Sequence, residues 1–517
     1  MNKPILSVVI VGGGTAGWLS AGTLAAKLNA ATDRAVSISL VESPNLPTIG
    51  VGEGTWPSLR RTLKTMGIRE TDFIRQCDVG FKQGAKFSRW VNGKNTDAYY
   101  HPLILPKAFS EVNLAPQWLK NTEQTTFSAA VCPQDALCDA GLGPKKITTP
   151  EYAGLANYAY HLDAGAFSEF IRQHCIQNLG VHHYFGDVEE IINAENGDIA
   201  AVVTKQQGRI DADLFIDCTG SRSLLLGGHF GIPFLSCKDT LFIDTALAVH
   251  APYATPDSPL ATHTTSTAQR AGWIWDIGLP SRRGVGHVFS SAHTSVDQAH
   301  DELMAYLRPS TPNLNDLQVR QIAINPGHRE KFWHKNCVAI GMSAGFLEPL
   351  EASAILLIEI AGNFIADQFP TSRVAMEQVA TRFNETFLYR WARIIDFLKL
   401  HYVLSQRTDS AFWVDNRDAN SIPESLASQL LYWQEQCPWH SDFDRAVEVF
   451  PAASYQYVLY GMGFHTRTDL HPQSQKYQQR AHQLREQNQR ETQQLLSSLP
   501  VHRELIEKIH QYGLQAV

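Results

Sequence analysis

No stretch of this 517-residue chain stays apolar for the roughly 18–20 residues that a membrane-spanning helix requires. The N-terminus also lacks the charged, apolar and small-residue succession of a cleavable export signal, so the reading is a cytoplasmic protein that engages no membrane. Cysteine is sparse. Eight thiols (Cys77, Cys132, Cys138, Cys175, Cys218, Cys237, Cys337, Cys437) are scattered without a Cys-x-x-Cys pair, so neither a disulfide framework nor a zinc or other metal site is indicated. Reduced, mostly buried thiols are expected. Basic clusters are missing as well: 44 Lys plus Arg against 51 Asp plus Glu give a net charge of -7, with no stripe of the kind that tracks phosphates. Nucleic acid is not an expected partner. Internal repeats and low-complexity tracts are absent. Charged residues make up only 18% against 44% hydrophobic ones, which excludes a disordered scaffold. The length suits one large two-part enzyme or three modest domains.

What is present begins with Ile5–Val11, an apolar β-branched run suited to a strand buried on both faces of a parallel sheet. A Gly-rich turn follows, then helical spacing of Ala16, Leu19, Leu24, Ala25 and Leu28, then a second strand Val36–Val41 ending in Glu42. This is a βαβ unit. Strand-then-glycine signals return at Leu214–Gly220 and Cys337–Gly341, as pieces that one sheet can assemble from separate segments. Between them, Lys86–Trp90, Val181–Phe185, Ala200–Val203, Leu241–Val249 and Gly286–Ser290, with a turn at Asn196-Gly197, predict a mixed or antiparallel substrate-side layer. After Pro370 the pattern turns helical: Val374–His401 carries an apolar stripe, and residues 470–515 are polar and helical.

Gly12, Gly14 and Gly17 fit GxGxxG between a strand and a helix. The first glycine permits the tight turn, the second admits a pyrophosphate to the backbone, and the third lets helix and strand pack, with Thr15 and Ala16 in the helix's first turn. Glu42, 25 residues beyond Gly17, is placed to accept hydrogen bonds from ribose hydroxyls. The motif alone leaves NAD and FAD open. The second and third glycine-ending strands favour FAD, for which the protein supplies binding and electrostatics.

Three further segments, read together, resemble the flavin-dependent tryptophan halogenase family. Gly272-Trp273-Ile274-Trp275-Asp276-Ile277 looks like its GWxWxIP signature; Val79–Phe87 is similar to the region of its active-site lysine; Phe346–Ser353 is similar to its EPLES/T segment. The resemblance runs from residue 5 to about residue 415, includes Tyr99–Pro102 and Asp217–Gly220, and thins beyond.

This resemblance implies an α/β fold with an FAD-binding module of the aromatic-hydroxylase type, an interleaved β-rich substrate layer and a helical C-terminal part. The expected division is 1–370 (flavin segments about 5–55, 180–235 and 330–365) and a substrate-covering part 371–517. It implies halogenation of an electron-rich, indole-like or tryptophan-like arene with reduced FAD (FADH2), dioxygen and chloride or bromide. The reduced flavin would come from a separate NAD(P)H-dependent reductase, with homodimer formation left open. Hypohalous acid would reach Lys82, while Glu351 would orient the oxidant and take the ring proton. The lysine suits this only if partly desolvated. Ser353 and Ala354 would offer backbone donors to halide; Val188, Met342 and Ile355 would join the flavin contacts; Trp273 and Trp275 would wall off the flavin side; His101 and Trp413 offer flat walls for an indole. The chain departs from the family pattern at Gly278-Leu279, at Ala352-Ser353-Ala354 and at Met342, where an aspartate is usual. Read residue by residue, Lys86 is the competing lysine, Glu348 the competing carboxylate, and Glu351 has the alternative of capping the helix Ile355–Phe364. A flavoprotein monooxygenase and a non-catalytic flavin-binding protein are the rival functions.

Overall fold

The computed structural model describes residues 4–29, 36–45, 52–443, 445, 447–467 and 477–516. The β-branched run beginning the chain forms the strand Ser7–Val11, whose Val8, Val9, Ile10 and Val11 are all buried, as a strand covered on both faces must be. It pairs in parallel with Ser37–Glu42 on one side and with Leu214–Asp217 on the other, and the latter pairs in parallel with Cys337–Ala339. The three glycine-ending strands are therefore neighbours in one six-stranded sheet, completed by His182–Phe185 and by the antiparallel edge strand Trp333–His334. The helix Thr15–Leu28 fills the crossover. This is the expected α/β architecture.

The second layer is a seven-stranded sheet in the order Arg320–Ala323, Thr245–Ala251, Arg283–Phe289, Gly272–Gly278, His263–Ala268, Gly84–Ser88, Ala98–Pro102. Only Gly84–Ser88 and His263–Ala268 run parallel, so the mixed layer expected between the flavin segments is present. Boundaries shift where the backbone overrides the apolar pattern. The strand expected at Lys86–Trp90 ends at Ser88 because Arg89 takes a left-handed φ of 65°. The one expected from Leu241 starts at Thr245, since the Leu241 N–H closes a turn onto the Cys237 carbonyl. Trp275 stands opposite Gly286 across the Gly272–Gly278 and Arg283–Phe289 pair; a Cβ on Gly286 would lie 2.1 Å from the Trp275 ring.

A small sheet of Gly52–Gly54, Ala159–Asp163 and Gly80–Lys82 holds the lysine strand. The C-terminal part is helical. Its longest member, Arg373–Val403, is capped by the Ser372 hydroxyl on the Ala375 N–H and buries Met376, Ala380, Phe383, Phe387, Trp391 and Ile394 along one stripe. From Asp396 to Tyr402 every residue is buried, so the helix end has entered the interior. The polar helix expected over 470–515 is two, Gln478–Ser498 and His502–Tyr512, divided at Pro500, which lacks the N–H to continue a helix. Residues 470–476 of that expectation lie outside the described residues. Six of the eight cysteines are buried and all are free. No described helix is long and apolar enough to cross a membrane.

Substituting Gly286→Val should drive a side chain into the Trp275 ring and cost about 1–3 kcal/mol. Denaturant unfolding followed by tryptophan fluorescence measures it.

Candidate active site

At the end of the first strand, Gly12 has φ +115°, and a Cβ there would sit 2.2 Å from the Cys218 carbonyl oxygen; at Gly17 one would sit 1.8 Å from the Gly12 oxygen. Only glycine permits these approaches. Gly14 is different: nothing lies within 4 Å of its would-be Cβ, and no side chain caps the helix that Thr15 and Ala16 begin. That open, donor-rich turn fits a pyrophosphate. Glu42 ends its strand with the carboxylate folded over Gly13 and bonded to His183 Nε2 at 3.0 Å. Gly341 brings the turn carrying Met342 against Ala16, and Asp187, beside Val188, accepts from Ser43 and Asn45 just past Glu42. The residues present therefore fit a dinucleotide such as FAD, which the glycine turn and Glu42 would hold.

Lys82 ends its strand and is 3% exposed, whereas Lys86 forms an ion pair with Asp139 at 2.7 Å. Burial lowers the Lys82 ammonium to about 8, against the opposing pull of Glu351. Its only described hydrogen bond runs 3.4 Å to the Thr55 carbonyl. Gly54 makes room for it: a Cβ there would lie 3.2 Å from Lys82 Nζ and 3.5 Å from both Ala352 Cβ and Thr264 Oγ1. The lysine tip and the Glu351-Ala352 turn thus converge on one glycine.

The strand holding Lys82 has three residues and pairs along one edge with Ala159–Asp163. At its other edge the Phe81 N–H donates to His502 Nε2 at 2.9 Å, and His502 Nδ1–H donates to the Leu260 carbonyl at 3.1 Å. His502 is fully buried, and burial pushes it down to about 4, so it is neutral and can accept. A C-terminal helix thereby supplies the missing strand partner beside the lysine.

Glu351 and Ala352 have φ of 66° and 52°, two successive left-handed residues without a glycine, held in part by Trp56 Nε1 donating to the Glu351 carbonyl at 3.0 Å. Such conformations cost energy and concentrate at functional sites. The Glu351 carboxylate meets His101 Nδ1 at 2.8 and 2.9 Å and His401 Nε2 at 3.1 Å. Burial alone would raise its pKa, but the contacts with His101 and His401 outweigh that and hold the carboxyl well below its usual range. Glu351 does not cap the following helix. That helix, Ser353–Asp367, has Ala352 as its N-cap and no side-chain cap, which leaves Ser353 and Ala354 in an uncapped first turn and Ile355 buried behind them.

The competing carboxylate, Glu348, is bonded elsewhere, to Trp273 Nε1 at 2.9 Å and the Tyr402 hydroxyl at 2.6 Å. Burial raises it to about 7 against those bonds. Trp273 and Trp275 stand edge to face, 6.5 Å apart, on one side of their strand. The two expected substrate walls differ, and only Trp413 is corrected. His101, expected to stack on a ring, uses its two nitrogens in the ring plane, Nδ1 on the Glu351 carboxylate at 2.8 and 2.9 Å and Nε2 on the Ser454 hydroxyl at 2.9 Å. Trp413 is fully buried, with the Arg407 guanidinium 4.6 Å over its ring, Trp90 and Phe412 edge-on and its N–H given to the Gln269 carbonyl; packing has used its surface. His401, His502, Thr55 and Ser454 were not legible as site residues: each is a single polar residue with no motif around it.

The tryptophan halogenase family model matches residues 7–478. The chain belongs to the tryptophan halogenase family. Among curated relatives of this halogenase, a tryptophan 6-halogenase of Streptomyces toxytricini is 32% identical over 88% of the chain and 89% of its own length. A tryptophan 7-halogenase of Lentzea aerocolonigenes is 33% identical over 81% and 80%. A crystal structure of a tryptophan halogenase from Shewanella frigidimarina superposes with a TM-score of 0.96 at 50% identity, covering 100% of this chain and 99% of that one.

Two outcomes follow for this halogenase. His502→Leu should lower turnover by about 10- to 100-fold through a misplaced lysine while FAD affinity holds, and His502→Gln should recover part of it; steady-state rates and flavin fluorescence titration decide. Between about pH 8 and 10.5 the unfolded chain binds the lysine proton that the folded one sheds, so burying Lys82 costs stability below pH 8 and progressively less above it. Lys82→Met should therefore stabilise the fold at pH 7 by about 1–4 kcal/mol, with the gain shrinking toward pH 10 in thermal melts.

Proposed function

We propose that this halogenase chlorinates or brominates an indole-type ring, tryptophan or a molecule bearing its side chain, at Lys82. The observation that carries the reading is the convergence of the buried Lys82 amine and the Glu351-Ala352 turn on Gly54. The names of the relatives support the substrate class.

The chemistry supplied by reduced FAD, dioxygen and chloride or bromide is the formation of hypohalous acid. Gly12, Gly14, Thr15, Ala16 and Gly17 hold the pyrophosphate of the cofactor, Glu42 its ribose, and Val188, Met342 and Ile355 further parts. Ser353 and Ala354 offer N–H donors to the halide, and Trp273 with Trp275 closes the space a bulky organic substrate would otherwise take. A separate NAD(P)H-dependent reductase supplies the reduced flavin. Lys82 can hydrogen-bond the oxidant as an ammonium or combine with it as an amine, because a lysine brought to about 8 has both forms within reach at working pH. Glu351 is fixed as an anion by two imidazoles, which orients the oxidant and leaves a carboxylate to take the proton from the strongly acidic ring cation.

Mass spectrometry of reactions with FAD, a reductase, NADH, bromide or chloride and an indole panel tests this. Lys82→Ala should make no halogenated product while reduced FAD is still oxidised, and Glu351→Gln should slow product formation by about 10²–10⁴-fold. Normal halogenation by Lys82→Ala would remove the lysine assignment. NADH oxidation by the protein alone, stimulated by an arene, would favour a monooxygenase instead.

A further inference from the structure

The small sheet that carries Lys82 has a second polar side chain on the same face. Residues i and i+2 of a strand share a face, and so do residues opposed across a strand pair. Lys82 stands opposite Ala159, while Gly80 and Gly54 both stand opposite His161, so the lysine and His161 project from one side with only Gly54, Gly80 and Ala159 beside them. No bulky neighbour on their own sheet separates them. His161 is fully buried, and burial together with the Lys82 ammonium holds it well below its usual range, which keeps the ring neutral. Its Nε2 meets the Thr264 hydroxyl at 2.8 Å, on the strand His263–Ala268 of the larger sheet, and its Nδ1 has no partner among the described residues. Thr264 is half-buried, and its Oγ1 borders the position that Gly54 leaves free: a Cβ there would lie 3.5 Å from that oxygen and 3.2 Å from Lys82 Nζ. No described hydrogen bond joins the hydroxyl to the ammonium, yet both reach the same place. A hydroxyl with one bond to an imidazole keeps its hydrogen or a lone pair for a second partner, whichever way the first bond runs.

We propose that Thr264, held by His161, is a second polar contact for the hypohalous acid at Lys82. This rests on the reading of Lys82 above. Hypohalous acid has one O–H and lone pairs on its oxygen, so it can donate to the threonine or accept from it while it meets the lysine. A single hydrogen bond leaves the oxygen–halogen bond free to swing about the lysine tip. Two contacts fix its direction, and with it the ring carbon that the halogen reaches. The reaction itself is unchanged: the halogen–oxygen bond breaks as the halogen–carbon bond forms, and the displaced ring proton and the released hydroxide together make water. The sum is arene plus hypohalous acid giving haloarene plus water. His161 touches neither oxidant nor substrate in this scheme; it is a positioning residue that acts through the threonine.

The test uses the full chain with FAD, a reductase, NADH, bromide and an indole substrate, and measures haloindole formed per reduced flavin oxidised. A 1,3-diketone in the solution traps hypobromous acid that escapes the protein. Thr264→Val removes the hydroxyl at nearly constant volume. It should lower haloindole per flavin by about 10-fold and raise the trapped share to match, while Thr264→Ser restores most of the yield. His161→Leu leaves the hydroxyl in place without its anchor and should fall between the wild type and Thr264→Val. Wild-type yield per flavin in either Thr264→Val or His161→Leu would overturn the proposal. A lower rate with the division between haloindole and trapped oxidant unchanged would make Thr264 a packing residue and overturn it as well. A wild type that makes no haloindole, or a Lys82→Ala that makes it normally, would overturn the reading of the lysine, and this one with it.

Discussion

The site depends on keeping a carboxylate ionised where water is scarce. A buried charge survives only when partners replace its hydration, and Glu351 has three imidazole contacts doing so, two of its oxygens being engaged at 2.8–3.1 Å. That arrangement dictates much around it. Strand Ala98–Pro102 must deliver His101, the long helix must run into the interior to deliver His401, and the backbone at 351–352 must adopt two left-handed residues so that the carboxylate turns away from the helix it precedes. Lys82 has the opposite treatment, with one long hydrogen bond and a glycine left clear at its tip. The carboxylate is fully partnered and the lysine tip is not.

The two carboxylates of the Glu348–Glu351 segment show how environment separates identical side chains. Glu348 meets an indole N–H and a phenol, both neutral donors, and burial wins, raising it to about 7. Glu351 meets imidazoles and is driven the other way. Adjacent residues of one helix, His401 and Tyr402, serve the two acids in turn. The tryptophan signature is thus tied through Glu348 to the same helix that closes the reaction site.

Legibility in the sequence followed distance along the chain. The glycine turn, the helix Thr15–Leu28 and Glu42 lie within one βαβ unit, where periodicity and turn chemistry carry the information, and they stand where the pattern put them. Lys82 and Glu351 were found through the short segments around them. What joins them was hidden. His401 reads as one more residue of an apolar stripe, and His502 as a histidine in a polar helix, because their partners lie 50 and 421 positions away. One aromatic residue misled for a related reason: Trp413 has the right chemistry for binding a ring, and only tertiary packing shows that an arginine and two aromatic rings have already engaged it. Strand ends at Ser88 and Thr245 were set by backbone conformation and turn bonding, which the apolar pattern does not encode.

The bond from Phe81 to His502 has a consequence for how the molecule is made. Synthesis delivers the lysine strand early and its edge partner nearly last. While the ribosome is still extending the chain, the six-stranded sheet has its segments, yet the Lys82 strand lacks its partner at Phe81. Chain closure across 421 residues is the step that completes it. A truncated or nicked product would therefore keep the six-stranded sheet and its glycine turn while leaving the lysine strand without its partner at Phe81.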